Sequence, residues 1–244
     1  MTQQILITMA GAGQRFRRAG YDAPKWRIEA KGRSLFAWSM LSLQAFIDAG
    51  APFVFVVRRD EDAASFVRRA CCDLGIRCAG IRQLDNMTNG QASTAFAGLD
   101  ALPDQEAPVS VYNIDTHIRP SALTPGMCTG DGWIPCVRAS GTKWSFVQLD
   151  DAGRICEVRE KERISDLATV GFYGFASARL YRDVYTEHFA NGAGVERGER
   201  FIAPMYNTLI RRGGAVNLAE VPTDAFVPLG TPEDVAALAS EDPE

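Results

Sequence analysis

Three apolar runs restrict the architectures open to this chain: Ile5-Leu6-Ile7-Thr8-Met9, Pro52-Phe53-Val54-Phe55-Val56-Val57 and Val109-Ser110-Val111-Tyr112-Asn113. Each reads as a short buried strand, the kind that a sheet covered on both faces requires. Helical patterns separate them. Residues 34–49 read as a helix with Ser34 near its N-cap and Gly50 just past its end. Residues 61–74 read as an amphipathic helix ended near Gly75, residues 77–83 as a short strand, and Gln91 to Leu102 as helical. This is a βαβαβ opening with parallel strands and helical crossovers.

The rhythm changes after residue 130. Segments 133–138, 144–149, 154–159 and 169–176 read as short strands, with turn residues such as Asp150-Asp151-Ala152-Gly153 between them. Helices are expected again at 177–189 and 200–212, and a strand at 215–221. A last helix opens at Thr231-Pro232-Glu233-Asp234, with threonine as N-cap and proline in the first helical position. No internal repeat and no low-complexity linker interrupts the pattern. The expectation is one α/β domain over 1–244, with a nucleotide-binding half at 1–130 and a substrate-binding half at 131–244.

Composition narrows the function. A net charge of −4 without a basic run argues against a nucleic-acid surface. Cys71, Cys72, Cys78, Cys128, Cys136 and Cys156 form no CxxC pair, and only two histidines accompany them, so a zinc site is not expected. Reduced, mostly buried thiols in a cytoplasmic protein are the expected reading. The opening Met1-Thr2-Gln3-Gln4 lacks the basic region of a signal peptide, and no stretch approaches the ~18 apolar residues of a membrane span.

Four segments carry chemistry. The first strand breaks into Ala10-Gly11-Ala12-Gly13-Gln14-Arg15-Phe16, and Pro24-Lys25 follows. Two glycines allow backbone N–H groups to approach an anion closely, and Arg15 and Lys25 add positive charge. A dinucleotide fingerprint wants a third glycine where Phe16 stands, and a P-loop wants a Gly-Lys-Ser/Thr that does not follow. A plain tight turn is the alternative. The second segment, Gly90-Gln91-Ala92-Ser93-Thr94, opens a helix whose free N–H groups carry partial positive charge. The Gln91 amide both donates and accepts, which suits a nucleobase edge; an ordinary capped helix start is the alternative. Third, Asp115 in Tyr112-Asn113-Ile114-Asp115 lies just past an apolar strand, where open α/β sheets bind ligands. A carboxylate there is a natural Mg²⁺ ligand, or simply a turn former. Fourth, Glu160-Lys161 joins a hydroxyl acceptor to a phosphate-binding cation, while a solvated loop pair is its bland reading.

In this order, these segments resemble the sugar-phosphate nucleotidylyltransferases, together with Val170-Gly171-Phe172-Tyr173 and Leu229-Gly230-Thr231-Pro232-Glu233-Asp234. The resemblance runs from residue 5 to about residue 238. It implies a glycosyltransferase-A-like, Rossmann-like three-layer sandwich with a mostly parallel, mixed central sheet. It also implies a Mg²⁺-dependent reaction in which a phosphorylated sugar, or another phosphometabolite, attacks the α-phosphorus of an NTP and releases pyrophosphate. Carried over by position, Arg15 and Lys25 are catalytic, and Ala10, Gly11, Gly13, Gln91 and Asn113 bind the nucleotide. Asp115 holds Mg²⁺, and Glu160, Lys161, Gly171 and Glu199 meet the acceptor. Phe201-Ile202-Ala203-Pro204 and Tyr206-Asn207 resemble the capsule and surface-polysaccharide branch. Partners beyond the substrates are not implied, and a homo-oligomer is compatible with the resemblance.

One position departs from the pattern. Many members carry a second metal-binding aspartate two residues before the glycine of the Gly-Thr-Pro segment; here Pro228 stands there. Asp224 lies upstream and substitutes only if the loop bends back. The competing readings are therefore a catalytically impaired nucleotide-binding homologue, supported by Pro228, and an NDP-sugar-using glycosyltransferase, which expects an Asp-x-Asp metal motif where this chain has Asn113-Ile114-Asp115. A NAD-dependent dehydrogenase is disfavoured by Phe16.

Overall fold

The computed structural model describes residues 2–59 and 62–240, so the expected helix start at Glu61 lies outside the described residues. The first half runs β1 (Gln4–Thr8), α1 (Gln14–Arg18), β2 (Glu29–Ala30), β3 (Arg33–Ser34), α2 (Leu35–Leu41), α3 (Gln44–Asp48) and β4 (Phe53–Arg58). Then follow α4 (Ala63–Asp73), β5 (Cys78–Leu84), α5 (Gln91–Gly98), β6 (Val109–Asn113) and β7 (Thr116–Ile118). The second half contributes β8 (Gly132–Arg138), β9 (Ser145–Leu149), β10 (Ile155–Glu160), β11 (Leu167–Thr169), β12 (Phe172–Phe175) and α6 (Ala178–His188). It closes with α7 (Tyr206–Arg211), β13 (Val216–Glu220), β14 (Phe226–Pro228) and α8 (Pro232–Ser240).

Both halves build one ten-stranded mixed sheet in the order β10-β9-β11-β8-β12-β6-β1-β4-β5, with β13 beside β8. Strands β5, β4, β1 and β6 are parallel, and β12 joins them antiparallel through Phe172 opposite Tyr112. The continuous apolar runs follow from burial on both faces. Ile5, Ile7, Phe53, Phe55 and Val57 pack with Phe36, Met40, Phe46 and Val67 of α2, α3 and α4 on one side. Leu6, Val54, Val56 and Val111 pack with Ala92, Ala95, Tyr181 and Tyr206 of α5, α6 and α7 on the other. The molecule is the expected three-layer α/β sandwich. Among the described residues, no helix is long and apolar enough to cross a membrane.

Several elements differ from the sequence expectation. The helix expected over 34–49 is two helices separated at Ser42 and Leu43. The Ser42 hydroxyl accepts the Ile118 N–H at 2.8 Å, tying the interruption to β7. The strand expected over 169–176 is broken at Gly171, whose φ of 81° lies in the left-handed region. The helix expected from residue 200 begins later, with a tight turn over Ala203–Met205 containing Pro204. The five-residue α1, the β2–β3 hairpin, β7 and β14 were not read from the sequence, because none is long enough to show a period.

Candidate active site

A cleft of about 1020 Å³ opens at the carboxyl ends of β1 and β6. These strands are direct neighbours, with Thr8 paired to Asn113. The chain leaves β1 toward β4 on one side and reaches β6 on the other, so the cleft occupies the switch point where open α/β sheets bind ligands.

The Met9–Gly13 loop forms one wall. Nothing stands within 4 Å of where a Cβ on Gly11 would lie, so the backbone there is open to a ligand. Gly13, at φ 61°, reverses the chain into α1, and its carbonyl accepts the Phe16 N–H at 3.0 Å. Phe16 then anchors the loop: it is buried with Ile28, Leu35, Leu229, Val235 and Leu238, which ties the glycine turn to α8. This explains why phenylalanine replaces the third glycine of a dinucleotide loop.

Lys25 opens a short turn after Pro24, and the next residue, Trp26, is buried. The Lys25 side chain is 14% exposed, and its ammonium lies 3.7 Å from Asp115 Oδ2 and 5.7 Å from the centre of the Phe16 ring. Burial is the largest influence on this ammonium and lowers its pKa. Asp115 and Asp234 push it back up, while Arg15 pushes it further down. Asp115 itself is 42% exposed in the turn after β6, and its carbonyl accepts the Leu229 N–H at 2.7 Å.

Gln91, the first residue of α5, forms another wall of the cleft. Its amide donates to the Asn113 side-chain oxygen and, at 3.4 Å, to the Thr8 hydroxyl. The loop before it is fixed from across the chain. The Arg200 N–H donates to the Asn89 carbonyl at 2.7 Å, and the Ala92 N–H donates to the Arg200 carbonyl at 3.0 Å. Gly90 has φ 130°, and a Cβ there would lie 2.6 Å from the Arg200 backbone nitrogen and oxygen. Gly90→Ala is expected to lower stability by about 1–3 kcal/mol, with a matching loss of nucleotide affinity. Denaturant titration alongside nucleotide calorimetry measures both.

Glu160, Gly171 and Glu199 also line the cleft. Glu160 ends β10 with a side chain only 7% exposed; its carboxylate accepts from the Ser145 hydroxyl and lies 3.4 Å from the Lys161 ammonium. Gly171 brings its backbone against Asn113, whose Nδ2 would sit 2.8 Å from a Cβ on this glycine. Glu199 closes a two-residue hairpin with Glu196, turned by Arg197 at φ 52° and Gly198 at φ 81°. Deeper in the cleft, the Thr169 and Tyr173 hydroxyls meet at 3.0 Å.

Eleven of the residues expected from the sequence line this one cleft: Ala10, Gly11, Gly13, Arg15, Lys25, Gln91, Asn113, Asp115, Glu160, Gly171 and Glu199. Lys161 is not among its lining residues. It takes a left-handed φ of 52°, and its ammonium sits over the Phe201 ring at 4.8 Å, beside Glu160. Asp224 does not bend back either. It pairs with Arg119 at 3.1 Å on an exposed surface, and Pro228 lies opposite Thr116 in the β14–β7 pair. Among the described residues, no group of three or more His, Cys, Asp or Glu side chains is arranged around a metal. The donor set that fits Mg²⁺ is the open Asp115 carboxylate completed by substrate phosphate oxygens and water.

Three contributors were not named as site residues from the sequence. Asp234 accepts the Thr231 N–H at 2.9 Å while the Thr231 hydroxyl accepts the Asp234 N–H at 3.2 Å, a reciprocal cap whose threonine-to-acid spacing was visible in the sequence. Ser145 and Arg200 had no such signal, since their partners are distant in the chain.

No family model matches this chain, and no curated protein matches it. Solved structures do. The nucleoside-diphosphate-sugar pyrophosphorylase from Vibrio cholerae RC9 superposes with a TM-score of 0.91 at 34% identity, covering 98% of this chain and 100% of that one. The inositol-1-phosphate CTP transferase from T. maritima gives 0.75 at 18% identity, with 98% and 95% covered. A UDP-glucose pyrophosphorylase complexed with UDP-glucose gives 0.73 at 16%, with 98% and 97% covered. The last two likenesses establish the fold. The first, a third identical over nearly the whole of both chains, establishes that this chain belongs to the nucleoside-diphosphate-sugar pyrophosphorylases, within the sugar-phosphate nucleotidyltransferase fold.

Proposed function

We propose that the protein couples an NTP to a sugar 1-phosphate, or to a similar phosphometabolite, giving the NDP-activated product and pyrophosphate. A phosphate oxygen of the acceptor forms a bond to the α-phosphorus, and the bond from that phosphorus to the oxygen bridging the β-phosphate breaks. The electron pair leaves with pyrophosphate. Because the attacking phosphate is already an anion, no general base is required. What the reaction needs is alignment and charge neutralisation.

The observation that carries this reading is the Lys25–Asp115 pair, a buried ammonium beside an open carboxylate at the carboxyl ends of β1 and β6. In this mechanism the backbone around Gly11 and Gly13 cradles the triphosphate, with Ala10 in the same loop. Arg15 and Lys25 neutralise charge accumulating at the phosphates. Gln91, steadied by Asn113 and Thr8, faces the base. Glu160 and Glu199 accept hydrogen bonds from acceptor hydroxyls, and Gly171 leaves room for them. Asp115 would hold Mg²⁺, and the ion would supply further charge neutralisation at the phosphates. Synthesis of an activated precursor for capsule or surface polysaccharide, in the cytoplasm, is the role that goes with this chemistry.

The test is a matrix of five NTPs against a panel of phosphomonoesters with Mg²⁺ or Mn²⁺, read by pyrophosphate release. One productive pair is expected to stand well above the rest. Silence across the whole matrix refutes the reading. Pro228, beside Thr116 in the β14–β7 pair, favours one rival, a nucleotide-binding homologue without catalysis. Calorimetric NTP binding without turnover is the result that selects it.

A further inference from the structure

We propose that Lys143, in the loop before β9, binds the phosphate of the acceptor. This assignment rests on the nucleotidyl-transfer reading and specifies how its second substrate is held. The acceptor arrives as a dianion, yet Glu160 and Glu199, the cleft residues proposed to meet it, are both carboxylates. Lys161, the cation expected there, does not line the cleft; it is paired with Glu160 at 3.4 Å and covered by Phe201. Among the described residues from 131 onward, Lys143 is the only lysine or arginine that lines the cleft.

Its position fits the task. Lys143 is two residues from Ser145, whose hydroxyl donates to Glu160, so its backbone stands beside that carboxylate. Its ammonium also lies 3.8 Å from Asp234 Oδ1. Asp234 is close enough to Lys25 to raise that lysine's affinity for a proton, and it flanks Gly230 together with the Arg15 guanidinium. Lys143 therefore links the loop beside Glu160 to Asp234, the neighbour of Lys25 and Arg15, where the two reacting phosphates are proposed to meet. Its side chain is 60% exposed and rests over the Trp144 ring at 4.7 Å, so little must be broken when it turns to a ligand. Its contact with Asp234, whose side chain is 14% exposed, is long at 3.8 Å, whereas an ammonium hydrogen-bonded to a phosphate dianion is stronger.

The test uses the full-length protein with its productive NTP and acceptor pair, comparing wild type, Lys143→Met and Lys143→Arg. Lys143→Met is expected to lower kcat/KM for the acceptor by about 10–100-fold, while KM for the NTP changes less than about threefold. Inhibition by inorganic phosphate competing with the acceptor is expected to weaken in parallel. Lys143→Arg is expected to recover most of the loss, and the thermal midpoint is expected to hold. Unchanged acceptor kinetics in Lys143→Met overturns the assignment, and so does an equal loss toward NTP and acceptor, the mark of a mere latch to α8. A wild-type protein that releases no pyrophosphate with any pair overturns the nucleotidyl-transfer reading, and this assignment with it.

Discussion

Replacing Lys25 by alanine is expected to cut the rate of nucleotidyl transfer by ~100-fold or more, roughly the cost of one preorganised charge in a water-poor site. Lys25 is the most enclosed cation of the cleft, and burial makes its charge both costly and effective. Removing it relieves a desolvation penalty, so the folded state is expected to survive and the thermal midpoint to stay near wild type. Steady-state kinetics beside a melting curve separates lost catalysis from lost fold. The same burial predicts a pH effect. The protonated ammonium is the active form, and its pKa is lowered, so activity falls on the alkaline side at a pH below the usual lysine value of 10.5. Lys25→Arg, which stays charged, is expected to remove that alkaline limb even where its longer side chain lowers the plateau.

Asp115→Ala carries the second large expected effect, again ~100-fold or more in rate, with a weaker response to added Mg²⁺. Two losses combine in it. The carboxylate proposed to hold the metal disappears, and Lys25 is left buried without its nearest counter-charge, so its pKa falls further. The alkaline limb in Asp115→Ala is therefore expected at lower pH than in wild type. Because the two residues act on one another, Lys25→Ala and Asp115→Ala should combine to less than the product of their separate losses. Asp224→Ala is the control: its carboxylate pairs with Arg119 on an exposed surface and does not line the cleft, so turnover is expected to stay near wild type. Near-normal turnover in Asp115→Ala refutes its metal role. A collapse in Asp224→Ala instead reveals that the β14 loop reaches the metal after all.

Much of this was legible in the order of residues. The runs at 5–9, 52–57 and 109–113 identified strands buried on both faces, and the structure sets alternate residues of each against different helix layers. The glycines at 11 and 13, the lysine after Pro24 and the aspartate after the third run marked positions that converge on one cleft. What failed had physical causes. Ser42, which lies at the break in the helix over 34–49, accepts the N–H of Ile118, a partner far away in sequence. Lys161 follows Glu160 along the chain, but a left-handed backbone turns its ammonium onto Phe201.

The sequence by itself determined the layers, the strand-to-loop junctions and the residue types available for phosphate chemistry, because hydrophobic period and glycine placement are local properties. Only the tertiary structure decided which charges face one another. It paired Lys25 with Asp115, brought Lys143 within reach of Asp234, and turned Asp224 away. Electrostatics depends on distance and burial in space, and neither can be read from separation along a chain.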